Sequence, residues 1–180
     1  MIYVFLADGF EEVEAIAPID VLRRCGLEVC TVGVTGTIVR GSHNIPVQCD
    51  VAVESADFSD AEAIVLPGGM PGTLHLKENP LVTACVQAAY DGGKIVAAIC
   101  AAPSVLGEMG LLNGKEAICF PGFEDKLTGA RLSASPVCQD GTVITAKGAG
   151  AALEFGEKIA ACFVGAEKAA QVLAAMQYII

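Results

Sequence analysis

One cysteine stands where the chain changes from strand to helix. In Lys94-Ile95-Val96-Ala97-Ala98-Ile99-Cys100-Ala101-Ala102-Pro103 an apolar strand runs into a helical segment with no spacer. The joining residue, Cys100, must make a tight turn, the geometry that lifts a nucleophile off the end of a sheet. Small neighbours at Ala98, Ala101 and Ala102 permit that turn. A thiol beside a helix N-terminus is expected to ionise readily, because the helix dipole favours thiolate. The competing reading is a buried, inert cysteine. That reading suits Cys25, Cys30, Cys49, Cys85, Cys119, Cys138 and Cys162, most of which lie in apolar runs and act as small hydrophobes.

Two further segments carry groups that a reactive thiol needs. Gly9-Phe10-Glu11-Glu12-Val13-Glu14 holds three acids. Glu11 and Glu12 are expected to face water, whereas Glu14 sits among Val13, Ala15, Ile16 and Ala17 on the apolar side of a helix. A carboxyl held beside a thiol can donate to the thiolate or move protons during turnover; plain solvent exposure is the alternative. Gly68-Gly69 follows an apolar strand, and glycine there lets a main-chain N–H come close to a ligand. With the N–H of Ala101, such a group makes an oxyanion hole beside Cys100. A glycine-rich turn without a ligand would look the same.

These segments are positioned by an alternation of strands and helices. Residues 2–6, 27–34, 62–66, 94–99, 115–119 and 142–146 read as strands. Residues 11–24, 80–90, 101–109, 149–163 and 167–176 read as helices. Residues 37–41 and 45–53 read as a hairpin or edge excursion. Asn79 is placed as an N-cap with Pro80 in the first helical turn. The pattern predicts an α/β fold, a mostly parallel sheet with helices on both faces and right-handed crossovers. The turns at 8–10, 67–72 and 100–103 then meet at the carboxyl edge of the sheet, where ligands bind in such folds.

Composition narrows the function. The 180 residues fit one domain spanning 1–180. The net charge is −10 with no basic run, which argues against nucleic acid and anionic membranes as partners. No C-x-x-C pair occurs, and His43 and His75 lie in no ligand-like pattern, so no metal or cofactor is expected. Eight cysteines without such a pattern suit a reducing compartment, and the cytoplasm is the expected location. The start, Met-Ile-Tyr-Val-Phe-Leu-Ala-Asp, reads as a first strand rather than a signal peptide. The acidic Asp8-Gly9-Phe10-Glu11 turn replaces the glycine fingerprint that a nucleotide-binding fold places there.

Taken together, Gly9 through Glu14, Pro18-Ile19-Asp20-Val21-Leu22-Arg23-Arg24, Val65-Leu66-Pro67-Gly68-Gly69, Ala97 through Pro103, and Gly148-Ala149-Gly150 through Glu154-Phe155 resemble the ThiJ/PfpI family. The resemblance is strongest to the branch of Parkinson disease protein seven and its bacterial chaperone/deglycase relatives. It runs along essentially the whole chain. It implies a flavodoxin-like sandwich that forms homodimers, with Cys100 as nucleophile and oxidation-sensitive thiol and Glu14 as its carboxyl partner. It also implies that Gly68, Gly69 and Ala101 line the substrate oxygen, and that Arg24 lies near a dimer interface and helps bind anions at the site. One departure stands out: Phe120 occupies a position where that branch usually has histidine. A Cys–His pair from that source is missing, which weakens a protease reading, since amide hydrolysis needs an acid for the leaving amine. His75 follows the Gly-Gly loop, and a surface helix position explains it as well as a site role.

Two functions follow. One is a cofactor-free glyoxalase or protein deglycase acting on reactive dicarbonyls, aldehydes or glycated protein. The other is an oxidative-stress sensor or redox-regulated chaperone that uses Cys100 without turnover.

Overall fold

The first strand, β1 (Ile2–Leu6), is buried along its whole length, as a continuous apolar run requires when both faces of a sheet are covered. Ile2, Val4 and Leu6 enter one apolar layer and Tyr3 and Phe5 the other. The computed structural model describes residues 1–178. After β1 come α1 (Glu12–Arg24), β2 (Val29–Gly33), β3 (Ile38–Arg40), β4 (Pro46–Gln48), β5 (Val51–Ala52), β6 (Ala63–Leu66), α2 (Gly72–Glu78), α3 (Pro80–Asp91), β7 (Ile95–Ile99) and α4 (Pro103–Glu108). Then follow β8 (Glu116–Ala117), β9 (Arg131–Leu132), β10 (Val137–Asp140), β11 (Val143–Ala146), α5 (Ala152–Val164) and α6 (Ala166–Ala175).

The main sheet has the order β10-β11-β7-β6-β1-β2-β5. Its neighbours are parallel except β10 and β11. One face packs on α1, α5 and α6 through Leu22, Phe155 and Leu173. The other packs on α2, α3 and α4 through Leu76, Val86 and Leu106. This is the expected α/β sandwich. The chain leaves β1 toward β2 and β5, then returns to β6 on the other side of β1. That reversal makes the carboxyl ends of β1 and β6 a topological switch point, where a crevice opens.

The structure differs from the predicted elements at short segments. Residues 137–140 form an antiparallel strand that was not expected; Gly141, with φ +63°, turns it into β11. Of residues 115–119 only Glu116 and Ala117 pair, with β9 and outside the main sheet. The proline- and glycine-rich stretch after β6 runs into α2, which begins at Gly72. The 45–53 run splits because Asp50 is tied back to Thr31: Thr31 N–H donates to Asp50 Oδ2 at 2.8 Å, and Asp50 N–H donates to Thr31 O at 3.0 Å. Asn79 does cap α3, accepting from the N–H groups of Leu81 and Val82. No described helix is long and apolar enough to cross a membrane.

Candidate active site

Cys100 follows β7 directly and has φ +65°, the left-handed region that costs a residue with a Cβ on the order of 1–2 kcal/mol. Two main-chain bonds hold it there. Its N–H donates to Ala146 O on β11, and its carbonyl accepts from the N–H of Phe120, each at 2.8 Å. Ala98, Ala101 and Ala102 are buried around the turn. The elbow expected from the sequence is therefore present, although α4 begins at Pro103 and not at residue 101.

Glu14 lies in the first turns of α1 and is 1% exposed. Its Oε2 accepts from the N–H of Gly68 at 3.0 Å. A Cβ placed on Gly68 would lie 2.5 Å from that oxygen and 2.6 Å from Cys100 Cβ. The glycine thus keeps open a space that acid and thiol share. Gly156 of α5 packs against Pro18 Cα of α1, which draws the two helices together behind the acid.

Burial pushes the Glu14 carboxyl up to about 7; the bond with Cys100 pulls it down, the charge of Glu11 raises it, and the N–H groups of Gly68 and Ala149 lower it. With Glu14 ionised, burial and then the neighbouring carboxylate push the Cys100 thiol up to about 12, against the lowering effect of the Ala101 and Gly69 N–H groups. The expectation that a helix end alone holds this thiol low is thus corrected: burial and the acid outweigh it. Protonating Glu14 removes the opposing charge and turns the acid into a donor, which favours thiolate. Between about 7 and about 12 the pair holds one proton.

Gly69 has φ +90°, open to glycine, and a Cβ there would strike the main chain of Glu11, Gly9 and Phe10. Gly69 is anchored through its carbonyl, which accepts from both the N–H and the hydroxyl of Thr73 at 2.9 Å. Glu11 N–H donates to Gly68 O at 2.9 Å, joining the β1 and β6 ends. Two N–H groups, a thiol and a carboxyl therefore converge where the three expected turns meet. The arrangement can add a thiolate to a carbonyl carbon, receive the resulting oxygen, and move a proton.

Not every expected residue arrives. Arg24 ends α1, ten residues and so about 15 Å along the helix from Glu14, and its Nε donates to Asp20 Oδ2 at 2.8 Å. Within this chain it does not reach the site. His75 sits on α2 with Nδ1 2.9 Å from Asp8 O, engaged with the β1–α1 turn rather than the thiol. Glu12, expected to face water, is 8% exposed and gathers the loop at 41–45: it accepts from His43 N–H at 2.9 Å and lies 3.0 Å from His43 Nδ1. Glu11, Glu12 and His43 are thereby brought together, a grouping the sequence spacing hid. Ala149, whose N–H bears on Glu14, has no signal in the sequence beyond the family resemblance, because glycine-flanked alanine carries no chemistry of its own.

An α/β sandwich with a cysteine elbow facing a buried acid at its switch point defines a class, and comparison with known proteins supplies its name. The DJ-1/PfpI family profile matches residues 1–162. The chain is 36% identical over 172 residues to the protein dj-1beta of Drosophila melanogaster, covering 94% of this chain and 92% of that one. It is 33% identical over 130 residues to a deglycase of Pyrococcus abyssi, covering 72% and 77%. The oxidized DJ-1 of Toxoplasma gondii superposes with a TM-score of 0.95 at 33% identity, covering 99% and 98%. The protein belongs to the DJ-1/PfpI family.

Proposed function

We propose that the protein is a cysteine-dependent, cofactor-free glyoxalase or deglycase. The observation that carries this is the buried Glu14 carboxyl paired with Cys100 beside the N–H groups of Gly69 and Ala101. In this reading the sulfur adds to the aldehyde carbon of an α-oxoaldehyde. The new oxygen takes up the thiol proton and rests on the two N–H groups. Glu14 removes the hydrogen from that carbon and returns a proton to the adjacent carbonyl carbon through the enediol. The resulting thioester is cleaved by water, so aldehyde plus water leaves as a 2-hydroxy acid and the thiol is restored. Oxidation at one carbon balances reduction at the next, and no external electron carrier enters. An early adduct on a protein amine or thiol presents the same carbon to the same sulfur.

The test is methylglyoxal consumption without glutathione by the wild type and Cys100→Ser. Turnover in the first and none in the second supports the reading; none in either overturns it. A second reading, redox sensing without turnover, is favoured by one feature: Glu14 holds its proton high enough to donate to an oxygen placed on Cys100. Peroxide oxidation spread evenly over all eight thiols would sink it. A homodimer across the outer face of α1, where Val13 and Ile16 are exposed beside Ile45, and a cytoplasmic location suited to eight free thiols complete the proposal.

A further inference from the structure

We infer that the Phe120 ring is the specificity surface of this site and selects α-oxoaldehydes whose second substituent is uncharged and aryl or bulky alkyl. The inference rests on the proposed dicarbonyl reaction. Phe120 N–H donates to the carbonyl of Cys100 at 2.8 Å, so the main chain that carries the ring is tied to the elbow. Yet the residue is 48% exposed, the only phenylalanine among the exposed large apolar residues described. An aromatic ring open to water beside a reactive centre offers a face for a ligand to cover.

The ring also borders the acid. A Cβ built on Gly148 would lie 3.2 Å from Phe120 Cδ2 and 3.9 Å from Glu14 Oε1. Ring and carboxylate thus flank one small gap that glycine leaves empty. On the inner side the thiol is closed in by Glu14, Gly68 and Ala101, all buried. A substituent larger than methyl on the bound aldehyde therefore has to leave outward, along the exposed ring. Glu14 and Glu11 make the surroundings acidic, which disfavours an anionic substituent, and Arg24, spent on Asp20 at the far end of α1, does not offset them. A histidine here would offer a proton; phenylalanine offers only apolar area and a π face.

The test compares phenylglyoxal with methylglyoxal in wild type, Phe120→Ala and Phe120→Leu. Removing the ring is expected to lower kcat/KM for phenylglyoxal about tenfold while methylglyoxal changes less than about twofold, with Leu retaining part of the difference. Parallel changes for both aldehydes, or no change for either, overturn the inference. Alkylation of Cys100 by phenacyl bromide against bromoacetone, followed by intact mass with Cys100→Ser as background, reads the same surface without turnover. If the wild type turns over neither aldehyde, the proposed reaction falls. The alkylation ratio then decides the surface alone: a drop of about tenfold in Phe120→Ala upholds it, and an unchanged ratio overturns it.

Discussion

The main-chain N–H of Gly68 donates to Glu14 Oε2 at 3.0 Å, across a space in which no side chain fits. That bond joins the end of β6 to the start of α1, and Cys100 at the end of β7 borders the same space. Three strand ends of one sheet thus fix the distance between acid and thiol. The proton shared by the pair is a property of the fold as much as of the two residues.

Gly68→Ala is expected to fold and to lose most activity. Its methyl would sit 2.5 Å from the carboxylate and 2.6 Å from Cys100 Cβ, so the acid must move. Overpacking of this kind costs about 1–3 kcal/mol, and a misplaced catalytic group costs about 100-fold in rate. Thermal melts beside dicarbonyl turnover check it. Full activity would mean that the acid's placement against the thiol does not matter.

Turnover is expected to rise with pH through about 7. Below that the pair takes up a second proton, leaving neither thiolate nor base; the last proton leaves only near 12. Glu14→Gln keeps a hydrogen-bond donor but not the base, so turnover should fall by roughly 100- to 10,000-fold and the inflection near neutrality should vanish. A pH profile of kcat/KM for both proteins decides. An inflection retained in Glu14→Gln would assign it to another group.

Stability should move the other way. The folded Glu14 holds its proton to about 7, above the usual carboxylate range of the unfolded chain. Below the unfolded value both states are protonated. As pH rises through the folded value the native state must ionise a buried acid, and stability is lost. The loss amounts to roughly 3 kcal/mol at most, and Glu14→Gln should remove it. Urea melts between pH 5 and 8 would show a slope in wild type and a flatter line in the variant. Equal slopes would place Glu14 in water.

Much of this was legible in the sequence, for physical reasons that differ by residue. The Ile95–Ile99 run is apolar on both faces and ends abruptly at Cys100, so strand, turn and nucleophile were readable together. Glu14 was readable because apolar neighbours surround it. Glu12 was not: burial of an acid depends on donors brought from residues about 30 positions away, His43 and Ile45, and no local pattern encodes them. β10 was missed because four edge residues, one buried, one exposed and two between, carry little periodicity. The direction of the Cys100 titration was missed because the helix end is local in sequence, whereas the burying layers and Glu14 are not.

The loop at 41–45 is expected to depend on Glu12 far more than on His43. Burial pushes the Glu12 carboxyl up, but bonds from His43 and from the N–H groups around it outweigh that and hold it below the usual range. Its Oε1 accepts from the N–H of His43 at 2.9 Å and of Ile45 at 3.4 Å, and its Oε2 from the Ser42 hydroxyl at 3.3 Å. Glu12→Ala leaves the His43 and Ile45 N–H groups without their acceptor, while the Ser42 hydroxyl keeps Glu11, and should cost about 1–3 kcal/mol. His43→Ala keeps the loop's main-chain donors and removes only an exposed ring, so its effect should be small. A carboxylate held low stabilises above its unfolded value and stops doing so as pH falls through its folded value, so the loop should loosen in acid. Hydrogen exchange at residues 41–45 is the measurement. Fast exchange in Glu12→Ala with near-native protection in His43→Ala would establish the acid as the anchor, and equal loss of protection in both would move that role to the imidazole.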